Sequence, residues 1–269
     1  MASVSTGVLG QGCSYLAVGD GPPLVQVLSL TPTHEALAGM ERRMALSNAS
    51  PFSNHYRVYV VKLKKGLQPG ESMSDIARHV ASAIEEDIGE PVLLTGTSTG
   101  GSVALQLSVD HPDLVRALVM VASAYRLGPG GRQIQQELAR RTRAGDAASG
   151  FAQMTSALLP SPLGGMVYPV ARMMWRTMVP TDPADMLVTL DAEDVFDVGD
   201  QLERVTAPTL VIGGDRDVLY SRELFEQTAA GVRDGRANIY PGWGHFRTSS
   251  SSTTANLALG FLFAATDAR

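Results

Sequence analysis

The residues Gly96-Thr97-Ser98-Thr99-Gly100 fit the pattern G-x-S-x-G, between the short apolar run Pro91 to Thr95 and a helix-patterned stretch, Val103 to Val109. A serine on so tight a turn sits in strained backbone. The flanking glycines remove side chains that would collide with the strand and the helix, and Gly101 allows closer packing still. Ser98 Oγ is then expected to stand clear at the strand's C-terminal end. The adjoining helix N-terminus aims positive partial charge at any anion formed there. A serine hydroxyl is a weak nucleophile at neutral pH. It needs a base within hydrogen-bond reach and a third group to hold that base.

The chain has five histidines, and with such a turn the order along the chain is serine, acid, histidine. Only His245 lies beyond the acid candidates. It stands in Pro241-Gly242-Trp243-Gly244-His245-Phe246, a Gly-rich loop after the last predicted strand, where a loop can carry a side chain to the nucleophile. For the acid, Gly213-Gly214-Asp215-Arg216-Asp217 follows another strand. Asp217 is assigned the role, with Asp215 as the alternative; the other aspartate caps or turns the loop. His34 and His55 read as surface residues, His79 as lying on the exposed side of its helix, and His111, before Pro112, as a helix end. No two histidines have metal-ligand spacing, so no metal is expected. Cys13 has no context for catalysis.

The elements that must position these groups follow from periodicity. Leu24 to Leu30 reads as a strand after the turn Gly19 to Pro23, and Tyr56 to Leu63 as a second. Ser72 is a candidate N-cap with Asp75 in the capping-box position, and Ile76, Val80, Ile84 and Ile88 follow at helical spacing to Gly89. Leu114 to Ala122 is a buried strand. Strand, helix, strand, helix, strand requires a parallel sheet with helices on its faces. Residues 125–204 carry no strand pattern. They read as a helical insertion with an Arg-rich stretch (Gln133 to Arg143), proline-broken apolar segments and many methionines. Arg132, Arg140, Arg141 and Arg143 read as a solvated face, and Asp191, Glu193, Asp194 and Asp197 as helix-end and hinge charges. The sheet pattern returns at Pro208 to Gly213 and Arg236 to Tyr240, with helices near Ser221 to Ala230 and Ala255 to Ala265. Met1 to Gly12 reads as a short mobile start, and Ser249 to Ser252 as a solvated loop.

Composition bounds the partners. The 269 residues, 44% hydrophobic and 18% charged, suffice for one large core with an insertion. A net charge of −5 gives no electrostatic reason to hold nucleic acid or an anionic membrane surface. No apolar stretch is long enough to span a bilayer, and the N-terminus lacks the pattern of a secretory signal. One cysteine excludes an internal disulfide, so a cytoplasmic location is expected.

On these motifs the sequence resembles the α/β-hydrolase fold family, as a serine hydrolase with a helical cap. The resemblance is carried by GTSTGG around Ser98, HPDLVRALVMVASAY, APTLVIGGDRDVLY around Asp217 and PGWGHF around His245. It implies an α/β fold: a mostly parallel central sheet, helices on both faces, and core parts at residues 1–124 and 205–269 around a cap at 125–204. In that family the acid usually ends a G-x-x-D pattern, here Gly214 to Asp217. Many relatives carry His-Gly after the strand that builds the oxyanion hole; here that place reads Ser29-Leu30-Thr31-Pro32. The Thr99 amide is one expected donor and the Thr31 amide the other, with Leu30 as the alternative; Pro32 has no N–H.

The expected reaction is hydrolysis of a carboxylic ester or related acyl bond, with Ser98 as nucleophile, His245 as base and Asp217 as its orienter, and no cofactor. The expected partner is a small, apolar ester or acyl substrate lined by Leu30, Met154, Met174, Trp175 and Phe246. A lactonase, C–C bond hydrolase, acyltransferase or cofactor-free perhydrolase would use the same triad, and a small-molecule receptor could share the fold.

Overall fold

Eight strands form one sheet in the order β1-β2-β4-β3-β5-β6-β7-β8. The strands are β1 (Ser5–Leu9), β2 (Cys13–Val18), β3 (Pro23–Val27), β4 (Arg57–Lys64), β5 (Val92–Thr97), β6 (Val115–Val121), β7 (Thr209–Gly214) and β8 (Gly235–Tyr240). β1–β2 and β2–β4 pair antiparallel and every other pair is parallel. The computed structural model describes residues 4–160, 162–178 and 182–267. Residues 1–3 of the expected mobile start, and residues 161 and 179–181 of the expected insertion, lie outside the described residues.

Parallel neighbours need crossovers, which the helices lying between strands supply, while the last two helices follow β8. They are α1 (Gly39–Ala49), α2 (Met73–Ala83), α3 (Thr99–Asp110), α4 (Pro129–Arg143), α5 (Ala147–Ala157), α6 (Leu163–Met178), α7 (Ala184–Asp194), α8 (Arg222–Gly231), α9 (His245–Ser250) and α10 (Ser252–Asp267). Strands buried on both faces give two apolar layers. One packs Ile76, Val80, Val103, Leu107 and Phe225 beneath α2, α3 and α8. The other packs Ala45, Ala49, Ala258 and Leu262 of α1 and α10 against Leu93 and Val119. Helices α4 to α7 stand between β6 and β7 and enclose a smaller cluster of Leu138, Phe151, Met186 and Leu190. The segment that carries these four helices leaves and rejoins the sheet side by side: Arg126 and Asp197 form a β-bridge, and Val198 N–H donates to Tyr125 O (3.2 Å). No described helix is long and apolar enough to cross a membrane.

Several expectations are corrected. The expected mobile start holds β1, which pairs with β2 in a hairpin. The strand expected over Leu24 to Leu30 ends at Val27, which leaves Leu28 to Leu37 as a loop. The serine run begins inside a helix, because Ser249 and Ser250 belong to α9 and their hydroxyls donate back to the carbonyls of His245 and Phe246. His34 is buried, held by a bond between Nδ1 and Lys64 O (2.8 Å). His79 is half-buried, with Nε2 on Glu71 Oε2 at 3.0 Å.

Candidate active site

The side chains singled out for chemistry sit at the C-terminal ends of parallel strands, where open α/β sheets place their ligands. Ser98 links β5 to α3 with φ 54° and ψ −127°, a positive φ that a side chain rarely adopts. Its amide donates to Val121 O (2.9 Å). Close packing explains two glycines. A Cβ on Gly96 would lie 2.2 Å from Gly100 O, and one on Gly100 would lie 2.3 Å from Val27 O. The loop leaving β3 therefore runs directly against the first turn of α3.

Ser98 Oγ lies 3.1 Å from His245 Nε2, and His245 Nδ1 lies 2.8 Å from Asp217 Oδ2. A carboxylate only accepts, so Nδ1 carries the ring proton and Nε2 is free to accept from the serine hydroxyl. Asp217 Oδ1 takes the amides of Leu219 (2.8 Å) and Tyr220 (3.3 Å). All three side chains are buried, which strengthens their mutual interactions. Asp215, the alternative acid, is exposed. Its Oδ1 accepts from Gly242 N–H (2.6 Å) and thereby turns the histidine loop. Arg216 N–H donates to Trp243 O (2.9 Å), and Trp243 stacks with the Tyr240 ring (4.1 Å) and carries the Arg247 guanidinium over its own ring (4.4 Å). His245 is the first residue of α9, so its backbone is fixed by a helix rather than by a free loop.

Thr99 opens α3, and a helix's first amides have no partner within the helix. Thr31 is half-buried in the loop after β3, its hydroxyl donating to Thr33 O (2.9 Å). Leu30, Met154 and Trp175 each pack against the cluster that α4 to α7 enclose, where Trp175 stacks on Phe151 at 4.3 Å. Met174 and Phe246 stand exposed, outside that cluster. Among the described residues, no group of three or more His, Cys, Asp or Glu is placed to hold a metal ion.

Sequence reasoning missed two residues here. Glu193, expected to be a hinge charge, is fully buried against α3. Tyr220 lays its ring parallel to that of His245, at 20° with centroids 6.3 Å apart. A signal for the first exists: Glu193 follows Met186 by seven residues and Leu190 by three, on the buried face of α7.

A model of the alpha/beta hydrolase family matches residues 37–255. The chain is 27% identical over 190 residues to the pimeloyl-acyl-carrier-protein methyl ester esterase of Vibrio cholerae, covering 67% of this chain and 73% of that protein. It is 26% identical over 263 residues to the 2-hydroxy-6-oxo-6-(2'-aminophenyl)hexa-2,4-dienoic acid hydrolase of Metapseudomonas resinovorans, covering 92% and 86% of the two chains. The crystal structure of the enol-lactonase from Burkholderia xenovorans superposes with a TM-score of 0.75 at 17% identity, covering 98% of this chain and 100% of that one.

Proposed function

This chain belongs to the alpha/beta hydrolase family, and on that premise we propose that it is a serine hydrolase cleaving a carboxylic ester or related acyl bond. The observation that supports the reading is the relay from Asp217 through His245 to Ser98, at 2.8 and 3.1 Å, ending on a serine held at positive φ. Ser98 Oγ attacks the substrate carbonyl while His245 Nε2 takes its proton. Asp217 keeps the ring in the tautomer that can accept and stabilises the imidazolium. The Thr99 and Thr31 amides hold the oxyanion, and each is expected to lower the barrier by about 3 kcal/mol. The imidazolium then protonates the leaving alcohol, and water, activated by the same ring, releases the acid from Ser98. No step needs a cofactor.

Helices α4 to α7 serve as the cap in this reading. Leu30, Met154 and Trp175 face an apolar acyl or alcohol group, while Met174 and Phe246 meet substrate only at the mouth. A C–C bond hydrolase would use the same three residues. The similarity over 263 residues to an enzyme named for a dienoic acid favours adding such a compound to the substrate panel. The test is turnover of short-chain p-nitrophenyl esters, with labelling by a fluorophosphonate. Wild type should turn over and label at Ser98. Ser98→Ala should lose labelling and fall at least about 10³-fold in kcat. Equal rates in the two would remove Ser98 from the mechanism.

A further inference from the structure

Glu193 is a side chain of the insertion that is wholly buried (0% exposed) beside the nucleophile's turn. Its Oε2 accepts from Thr99 Oγ1 (2.7 Å) and Gln135 Nε2 (2.9 Å). Its Oε1 accepts from Ser102 Oγ (2.9 Å) and the Tyr220 hydroxyl (3.5 Å). All four partners are neutral donors. Compensation for a negative charge comes from the positive end of α3, whose first turn holds Thr99 and Ser102. A buried carboxylate facing no cation is a poor way to stabilise a fold, and an apolar side chain of similar size would do as well or better. What this carboxylate supplies is connection. Thr99 carries the amide assigned to the oxyanion. Tyr220 backs the His245 ring, and its own amide binds Asp217. Gln135 lies on α4 and Glu193 on α7, so both belong to the insertion.

We infer that Glu193 is a positioning residue, whose carboxylate sets where the Thr99 amide and the Tyr220-backed His245 ring stand relative to Ser98, and so couples the alignment of the nucleophile to the seating of the inserted helices. The inference rests on the serine-hydrolase reading above. An oxyanion donor acts only within a narrow distance of the developing charge, and displacements of about 1 Å cost on the order of 100-fold in rate. A carboxylate gathering four donors leaves the first turn of α3 one position to occupy. Burial pushes the Glu193 carboxyl above the ordinary carboxylate range, while the four donors favour its ionised form.

Glu193→Gln keeps the shape and turns one acceptor into an NH2. Its oxygen can stay with Thr99 and Gln135, but its NH2 then meets the Ser102 and Tyr220 hydroxyls as a donor, so both lose the acceptor that held them and must turn, which unseats the Tyr220 side of the network. The expected result is a fall of about 10- to 100-fold in kcat for p-nitrophenyl acetate, with fluorophosphonate labelling of Ser98 slowed in proportion and KM changed less than about threefold. Thr99→Val removes the hydroxyl donor but keeps the amide, and carries the test if Glu193→Gln fails to fold. Its kcat should fall too, and the double variant should be no slower than the slower single one, since both break one network. The inference is overturned if Glu193→Gln or Thr99→Val labels and turns over like wild type. It is equally overturned if phosphonate titration finds fewer sites that each work at the wild-type rate, which is what a purely structural role predicts. Activity surviving in Ser98→Ala would sink the underlying reading; normal labelling of wild type with an unaffected Glu193→Gln would sink only this one.

Discussion

Asp217 accepts three hydrogen bonds and Asp215 accepts one, from a loop amide, and this difference separates their roles. Replacing Asp217 by asparagine keeps the volume and lets one oxygen still take the Leu219 and Tyr220 amides. The NH2 then faces His245 Nδ1, which must accept, so the ring proton moves to Nε2 and points at Ser98. A ring in that tautomer cannot take the serine proton. Asp217→Asn is expected to lower kcat by about 10³- to 10⁴-fold with the melting temperature nearly unchanged. Asp215→Asn should leave kcat within about threefold, because its amide oxygen still holds Gly242. Ester turnover of the two variants side by side checks the assignment, and a loss confined to Asp215→Asn would reverse it. The family resemblance, in which the acid usually ends a G-x-x-D pattern, here Gly214 to Asp217, is what points to Asp217, whereas Glu193 reads with Asp191, Asp194 and Asp197 as a hinge charge, because an acid among acids at a helix end looks solvated. Only the face of α7 on which it falls marks it as buried.

Elements with a strong local signal were legible, and those held by distant partners were not. The α2 N-terminus is of the first kind. Ser72 and Asp75 complete a reciprocal capping box, with Asp75 N–H donating to Ser72 Oγ (3.2 Å) and Ser72 N–H to Asp75 Oδ2 (2.9 Å). The Ser72 hydroxyl and amide, and after them Arg78, hold the Asp75 carboxyl down at about 2. A lowered acid contributes its stability above the ordinary value of 3.8 and loses it as pH falls through about 2. Ser72→Ala should therefore cost about 1 kcal/mol in urea unfolding, equally at pH 5 and pH 8. A cost that vanished at pH 5 would mean that the Asp75 carboxyl is not held low in the folded chain. The β1–β2 hairpin lacks such a signal. Its outer strand, Ser5 to Leu9, is mostly exposed, and pairing with Cys13 to Ala17 rather than its own pattern makes it a strand. The six-residue α9 has no apolar period to read and is fixed by its packing on β7.

At the scale of the molecule, the loop that approaches the nucleophile is anchored by a contact no local pattern announces. His34 lies in the loop after β3 and is 1% exposed, with Nδ1 on Lys64 O at the end of β4. A carbonyl only accepts, so Nδ1 carries the proton, and Nε2 is buried without a partner, which suits the neutral ring. Beside it, Lys62 is buried and paired with Glu41 (2.8 Å), and Asp185 of α7 binds the amides of Gly66 and Leu67. Burial lowers the His34 pKa below 6.5, opposed by the Lys64 carbonyl and by Asp185; Lys62 lowers it further. The unfolded chain then binds a proton below pH 6.5 that the folded chain refuses, so stability is whole above that value and falls as pH drops below it. The slope for one such group is at most about 1.4 kcal/mol per pH unit. His34→Asn keeps a donor for Lys64 O and removes the titration. Urea unfolding at intervals from pH 7.5 to 5.0 should therefore show the wild-type curve dropping away from that of His34→Asn only below about pH 6.5. Parallel curves across that range would mean that His34 folds charged, and that Asp185, across the base of the inserted helices, outweighs burial in holding this loop.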